Sequence, residues 1–538
     1  MSDLRGLADG PGYPPDRGLQ PSGAPDVTVI VPVYDTMPHL TACLDSLITQ
    51  SRTGVSVQVV AVDDGSTDAS GTELDRYATE HPGLFTVIHQ DNSGGPARPC
   101  NVGLEHATGR YVFFMGSDDY LADDALERMV AAADRWESDV LCARLVGVNG
   151  RWVNQRLFTP GDQPRVEFPS EALASALGNT KLFRRSLLEE HGIRYALDMR
   201  VGSDQPFVID AMRHARTISV LADQPYYYAV RREDAQNITY SSTWRQRLEA
   251  VTGIVDHVAA LLPAGADRDV ILQRHLSGEV ATLLRRDFGV APAAERSALV
   301  AGVNALAERY LTDWIRDRLK LLARIRYDLA EAGDLDGLLA LHGAEDQPLL
   351  LHTDGDVLHQ APAAFADRLF EDRFRLPPES LPSALWGSFG PGRAWFEGSV
   401  LVMEGPTGLH PDCSDQVRGW LAPADDRLGW GARQVPRVTK WPPRSSPLDL
   451  ATPGRYRWQL DLAPLLRATP GSAWAARWEI DAGEVTWRLP LMAELHTGSE
   501  LPGFHRTAEP GSGQRLLVRA LPDPDGRLVF ELIHDEKD

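Results

Sequence analysis

Residues 58 to 68 read Gln-Val-Val-Ala-Val-Asp-Asp-Gly-Ser-Thr-Asp, a short apolar run that ends in two carboxylates, a glycine and small hydroxyls. Val57, Val59, Val60 and Val62 suit a strand buried on both faces, as in a parallel sheet covered by helices. Gly65, Ser66 and Thr67 allow a tight turn from that strand into a helix. Asp63 and Asp64 then stand at the carboxyl end of the strand, where open α/β sheets bind ligands. Alone, the segment reads equally as a strand, an Asx turn and an N-capped helix. Its neighbours decide.

Val27-Thr-Val-Ile-Val-Pro-Val-Tyr34 is an apolar strand closed by Pro32 and Tyr34, and Leu40, Cys43, Leu44, Leu47 and Ile48 recur at helical spacing up to Gln50. Together they give a first β-α-β unit. Asn92 to Leu104 is a glycine-rich loop that carries Arg98 and leads into a helix ending near Gly109. Arg110-Tyr-Val-Phe-Phe-Met-Gly-Ser-Asp-Asp-Tyr-Leu121 reads as another strand, with Asp118 and Asp119 at its carboxyl end. Adjacent carboxylates repel each other, and their desolvation costs several kcal/mol unless a cation offsets it. Mg²⁺ or Mn²⁺ binds one or two carboxylates together with substrate phosphates, which suits a diphosphate-linked donor.

The set Val31-Pro-Val-Tyr34, Val62-Asp-Asp-Gly-Ser-Thr-Asp68, Gly94-Gly-Pro-Ala-Arg98, Asn101-Val-Gly-Leu104 and Ser117-Asp-Asp119 resembles the inverting family 2 glycosyltransferases of GT-A fold. The resemblance covers roughly residues 26 to 240. It implies that Pro32, Tyr34 and Asp64 line a uracil pocket, that Arg98 lies beside the nucleotide, and that Asp118 and Asp119 act at the ribose and metal, with Asp119 the direct ligand. Val201-Gly-Ser-Asp-Gln-Pro-Phe207 resembles the family's acidic catalytic motif, which makes Asp204 the general base; helix capping is the compatible alternative. Inversion needs one base to take the acceptor proton as that oxygen attacks the anomeric carbon opposite the leaving diphosphate. Tyr226 to Thr239 resembles the segment that folds over the diphosphate, where Arg231 and Arg232 would clamp phosphate oxygens; a solvated loop is the alternative. Lys181, Arg184 and Arg185 are expected as a basic funnel near the acceptor cleft.

Three positions depart from the pattern. Gly116 stands where many relatives have Asp, Cys100 where they have Arg, and Ser203 where they have Glu. Metal dependence and diphosphate grip are therefore expected to be weaker, and Asp204, without a like charge beside it, to titrate lower than in relatives. Cys100 is read as a small packed residue or a reactive thiol.

At 538 residues the chain has room for about three domains, with ample apolar residues for full cores. Residues 1–25, rich in Gly, Pro and Asp, read as a disordered tail, 26–240 as the GT-A domain, 241–345 as a helical linker domain, and 346–538 as an all-β sandwich of short alternating runs. Trp441, Trp458, Trp474, Trp478 and Trp487 read either as core or as a carbohydrate platform. A net charge of -21 disfavours nucleic acid and anionic lipid as partners. No run approaches the roughly 18 apolar residues of a membrane span, and the first residues lack a signal core, so a cytoplasmic location is expected. Cysteines 43, 100, 142 and 413 are too widely spaced for a zinc site or disulfide framework.

The expected function is metal-assisted transfer from a UDP-sugar to an acceptor hydroxyl. Similarity to teichoic-acid N-acetylglucosaminyltransferases favours N-acetylglucosamine as the sugar and implies a homo-oligomer, a trimer among the options. The acceptor stays open between a cell-wall polyol-phosphate polymer, another glycan and a small molecule. A catalytically inactive sugar-binding or scaffold protein is the alternative suggested by the three departures. A Rossmann oxidoreductase is disfavoured because no Gly-x-Gly-x-x-Gly turn follows the first strand.

Overall fold

The computed structural model describes residues 23–232 and 242–345 and, between 349 and 534, the strands with the short helices and turns beside them. The chain divides into two compact units. One runs to residue 283 and includes 306–318; the other holds 284–305 and the residues from 319 onward.

The first unit is built on the strands β1 (Val27–Val33), β2 (Val57–Asp63), β3 (Phe85–His89), β4 (Tyr111–Phe114), β5 (Tyr120–Leu121), β6 (Val140–Ala143), β7 (Leu145–Val148), β8 (Leu182–Arg184), β9 (Ile218–Leu221) and β10 (Tyr227–Val230). Its main sheet has the order β3-β2-β1-β4-β8-β6-β9. Only β8 runs antiparallel to its neighbours. The apolar runs are explained by burial on both faces: Val27, Val29, Ile30, Val31, Val59, Val60 and Val62 are wholly inaccessible to solvent. The chain passes from β1 outward through β2 and β3, then returns to place β4 on the other flank of β1. This reversal opens a crevice beyond the carboxyl ends of β1 and β4, the usual ligand position in such sheets.

The connecting helices are α1 (His39–Gln50), α2 (Ser70–Glu80), α3 (Ala97–Glu105), α4 (Ala125–Arg135), α5 (Glu171–Ala174), α6 (Arg185–Glu190) and α7 (Asp204–His214). α1 buries Leu40, Cys43, Leu44 and Leu47, the positions its spacing singled out, while Ile48 is only partly covered. One expectation needs correcting: the strand read over 110–121 is not continuous. β4 stops at Phe114, and β5 joins a second sheet of order β5-β10-β7. Asp118 and Asp119 therefore sit in the turn between two sheets and not on a strand end. The adjacent acids have no ladder to join there, and β10 approaches them from the other side.

Residues 244–283 continue the first unit with α8 (Trp244–Leu261), α9 (Ala266–His275) and a π-helical turn at Leu276–Val280. In the second unit, helices Leu321–Glu331 and Leu335–Gly343 precede a small antiparallel sheet of Leu349–Asp354, Val357–Pro362 and Arg375–Leu376. Eleven further strands between Arg393 and His534 are linked by antiparallel pairing, the pattern read from the alternating sequence. Trp458 is completely buried and belongs to the core. Trp441 and the side chains of Trp474, Trp478 and Trp487 lie outside the described residues. Among the described residues no helix is long and apolar enough to cross a membrane.

Close approach of α3 to β1 is what sets the glycine-rich loop over the sheet. A Cβ on Gly103 would stand 2.3 Å from Cγ2 of Ile30, a β-branched side chain with little freedom to turn away. Gly103→Ala should therefore destabilise the protein by about 1–3 kcal/mol through overpacking, read as a lowered midpoint in urea. An unchanged midpoint would show that the helix lifts without penalty.

Candidate functional site

β1 and β2 supply the first wall of the crevice. Asp64 is 3% exposed, and its backbone N–H donates to Val33 O at 2.8 Å. Its carboxylate accepts from Gln90 Nε2, from Ser93 N at 3.1 Å and from Ser93 Oγ at 2.9 Å. Gly65 follows at φ +73, and a Cβ there would lie 2.7 Å from Asn92 N, so only glycine lets the two loops touch. Asp64 thus ties the turn after β2 to the glycine-rich loop. Tyr34 is 47% exposed at the end of β1, with its ring free to stack, and Pro32 is partly buried two residues before it. Asp63 is already committed to Ser66 N at 3.0 Å and to His89 Nδ1 at 2.8 Å. These bonds, and that of His89 to Asp75, favour the charged imidazole and push His89 up from its ordinary value.

The second wall is the acidic turn. Asp119, 5% exposed, accepts from Tyr227 Oη at 2.6 Å and Val230 N at 2.7 Å, and Arg151 Nη1 lies 3.4 Å from its Oδ1. Burial first, and the neighbouring Asp118 charge second, push Asp119 up to about 6. Asp118 is half-buried and accepts no hydrogen bond among the described residues. Both carboxylates converge on one spot: a Cβ on Gly116 would stand 2.9 Å from Asp119 Oδ2 and 3.1 Å from Asp118 Oδ1. Two like charges facing each other with a single arginine at their edge form a donor set suited to a hard divalent cation. No group of three His, Cys, Asp or Glu gathers among the described residues. Two carboxylates plus substrate phosphates are the Mg²⁺ or Mn²⁺ arrangement, as distinct from an all-protein cage.

The third wall is the loop before α7. Gly95 of the glycine-rich loop would, with a Cβ, come 3.1 Å from Arg200 O, so the two loops meet at Arg200. Asp204 is the first residue of α7, after the N-cap Ser203, whose hydroxyl makes no capping bond and is buried without a partner. Burial pushes the Asp204 carboxyl up, opposed by the backbone N–H groups at the helix start and by the charges of Lys181 and Arg274. Desolvation is the largest influence on this acid. Cys100 packs wholly buried under α3, and burial holds its thiol protonated, which removes the reactive-thiol reading.

The expected basic funnel does not form. Because β8 is antiparallel to β4, Leu182 pairs with Phe113 while Arg184 pairs with Tyr111, at the opposite end of the sheet from the crevice. Arg184 is bound to Asp139 at 3.0 Å and Ser138 O at 2.9 Å, and Arg185 to Gly109 O at 2.7 Å. Lys181 alone stays on the crevice side. It is 4% exposed, with its ammonium donating to Gly178 O. Arg98 is exposed on the first turn of α3, and Arg231 is exposed just after β10. Arg232 Nη2 donates to Asp35 O at 3.2 Å, which brings β10's end to β1's end. Residues 233–239 of the expected phosphate loop lie outside the described residues. Sequence reasoning missed Ser93, Arg151 and Tyr227. Of these only Tyr227, within the run Tyr226-Tyr-Tyr228, carried a signal, because a buried phenol needs an acceptor.

The cost of the buried acid can be measured. With its folded value above the usual carboxylate range, Asp119 binds more protons in the folded state than in the unfolded one between about pH 4 and 6. Its contribution therefore turns unfavourable as pH rises through that window and stays so above it. Asp119→Asn in chelator should melt higher than wild type at pH 8, by on the order of 2 kcal/mol, and the gap should close toward pH 4. A variant less stable at pH 8, with no change in the gap, would contradict this.

Residues 28–192 match the Glycosyl transferase family 2 model, and residues 245–342 the Glycosyl transferase TarS linker domain. The chain is 35% identical over 207 residues to a poly(ribitol-phosphate) beta-glucosyltransferase of Bacillus spizizenii, covering 38% of this chain and 32% of that protein. It is 37% identical over 206 residues to the poly(ribitol-phosphate) beta-N-acetylglucosaminyltransferase TarS of Staphylococcus aureus, covering 38% and 36%. The match thus spans about a third of each relative's length. The crystal structure of S. aureus TarS 1-349 in complex with UDP-GlcNAc superposes with a TM-score of 0.55 at 26% identity, over 65% of this chain and 99% of that one. Residues 28–192 are thus a family 2 glycosyltransferase domain, followed at 245–342 by a linker domain of the TarS type.

Proposed function

We propose that this protein is an inverting glycosyltransferase that moves a sugar from a UDP-sugar to a hydroxyl of a polyol-phosphate polymer of the cell wall. The observation that carries the reading is the convergence of Asp118 and Asp119 on the space over Gly116, in a domain whose Asp64 ties the turn after β2 to the glycine-rich loop. Uncompensated carboxylates of this kind have little use in an inert scaffold, because they lower stability. N-acetylglucosamine is the favoured sugar, in keeping with the UDP-GlcNAc of the TarS complex. Glucose is the competitor, since one of the matched relatives is named for it.

In this reading Tyr34 stacks on the uracil, Pro32 and Asp64 line its pocket, and Arg98 lies beside the nucleotide. Asp118 and Asp119 would hold Mn²⁺ or Mg²⁺. Asp118 offers the freer oxygens; Asp119, oriented by Tyr227 and Val230, keeps lone pairs open for ligation. The bound ion would supply positive charge against the departing diphosphate. Arg231 and Arg232 stand at the end of β10 to grip phosphate oxygens. Asp204 takes the acceptor proton. Burial raises its pKa, which strengthens it as a base, and the charges of Lys181 and Arg274 oppose that rise. With Arg184 and Arg185 engaged elsewhere, the exposed Arg98, Arg200 and Arg231 are the cations proposed, among the described residues, to meet a polyanion. A division into domains at 26–240, 241–345 and 346–538, the last serving homo-oligomerisation or glycan binding, and a cytoplasmic site of action complete the proposal.

The test is UDP release and heat-shift screening of UDP-, GDP-, TDP- and CDP-sugars with Mn²⁺, Mg²⁺ or chelator. A UDP-sugar should be the donor and need the ion. Asp119→Ala should abolish the donor-induced melting shift. Asp204→Asn should keep the shift and lose at least about 100-fold in turnover, the usual scale for a general base. Turnover by Asp204→Asn at the wild-type rate would sink the base assignment. Absence of any nucleotide-sugar effect would sink the transferase reading.

A further inference from the structure

The loop that carries Asp204 does not rest on the transferase sheet alone. α8 starts from a capping box in which Thr243 Oγ1 accepts from Gln246 N at 3.3 Å and Gln246 Oε1 accepts from Thr243 N at 2.9 Å. It buries one face made of Val251, Ile254, Val255 and Val258. Ile254 ends against Gly202, two residues before Asp204. Gly202 has φ +74, and a Cβ there would stand 3.1 Å from Ile254 Cδ1. The absent side chain is thus replaced by the tip of the isoleucine. One residue earlier on α8, Gly253 leaves room for Met199, whose Cε would lie 3.6 Å from a Cβ at that position. One turn later, His257 Nε2 is 2.8 Å from Asp210 Oδ1 in the middle of α7.

These three contacts bracket the loop from its first residue to the second turn of the helix that follows. Side-chain hydrogen bonds add little here, since Ser203 Oγ and Gln205 Oε1 are buried without partners. The turn is closed by the backbone bond from Gln205 N–H to Gly202 O at 3.1 Å, and packing from α8 backs it. A displacement of about 1 Å in a reacting group is enough to cost roughly 100-fold in rate, so a small loss of packing here is expected to appear in turnover before it appears in substrate binding.

We infer that α8, the first helix of the TarS-type linker, is a working part of the catalytic centre, with Ile254 as a positioning residue that sets Asp204 by filling the space over Gly202. The inference rests on the reading of Asp204 as the base. The linker is then more than a spacer: a change in its first helix is transmitted directly to the acceptor side of the reaction.

The experiment compares Ile254→Ala with Ile254→Val and with Val258→Ala, all in the full chain. Val258→Ala opens a cavity on the same buried face of α8 without facing Gly202. UDP release from UDP-GlcNAc is followed with polyribitol phosphate as acceptor, well below the melting temperature of each variant. Ile254→Ala should lose about tenfold in kcat with its UDP-GlcNAc KM within about twofold of wild type. Ile254→Val should recover most of that loss, and Val258→Ala should stay near wild type. An unaltered kcat for Ile254→Ala, or an equal loss in Val258→Ala, would overturn the inference, since the effect would then be absent or merely one of stability. Asp204→Asn is measured beside them. If it retains turnover, the base reading fails and takes this inference with it; if it is inactive while Ile254→Ala is unimpaired, the inference fails alone.

Discussion

The constraint on which the rest of this site depends is the repulsion between Asp118 and Asp119. Two adjacent carboxylates, one of them almost wholly buried, meet across the space left open by Gly116. Every nearby element answers that charge. Tyr227 and the Val230 amide come from β10, the partner strand of a second sheet, and Arg151 follows the turn after β7. Such groups orient Asp119 without neutralising it, because hydroxyl and amide donors supply dipoles and the arginine sits at 3.4 Å on one edge. What remains is a region of negative potential facing the crevice, which a cation and its phosphates can satisfy.

The small three-stranded sheet acquires its purpose from this. β5 and β10 are short and would be marginal as an isolated pair. Their value lies in delivering Tyr227 and Val230 to the acids and, at the same strand end, Arg231 and Arg232 to the mouth of the crevice. The main sheet does the corresponding work for the nucleotide side. Asp64 fixes Ser93, Ser93 fixes the glycine-rich loop, and that loop lies against Arg200 on the way to Asp204. The donor and acceptor sides thus meet where Gly95 lies close to Arg200 O.

Much of this could be read from the chain. The runs at Val27–Val33 and Val57–Asp63 are apolar because both faces are covered, and burial on that scale leaves a plain signal. Asp118 and Asp119 stood out because adjacent carboxylates after an apolar run are costly, Asp64 because it ends such a run, and Asp204 only through resemblance to the family's motif. The break between β4 and β5 was not legible, since Met115, Gly116 and Ser117 continue a strand pattern and the turn is imposed by the second sheet. The basic run at Lys181, Arg184 and Arg185 misled for a geometric reason. Three residues of strand carry the chain about 10 Å, so a cluster that is tight in sequence spans the sheet from the crevice to its far end. Partners such as Ser93 and Arg151 were invisible because their roles arise from contacts distant in sequence.

Gly116 shows why a departure from a familiar pattern should be judged in three dimensions. A third carboxylate at this position would begin with a Cβ 2.9 Å from Asp119 Oδ2 and 3.4 Å from Tyr227 Oη, closer than the present arrangement admits. The acids and the tyrosine have therefore drawn together over the glycine. Its amide is used as well, donating to Tyr227 Oη at 3.0 Å and so leaving the phenolic proton to point at Asp119. The missing side chain is replaced by an ordered backbone–phenol–carboxylate relay that directs one donor onto the acid expected to meet the metal. A site that had merely decayed would have no reason to keep this relay, since a buried phenol and a buried carboxylate are each expensive unless they satisfy one another. The departure at 116 is better understood as a different way of orienting Asp119 than as the loss of a ligand.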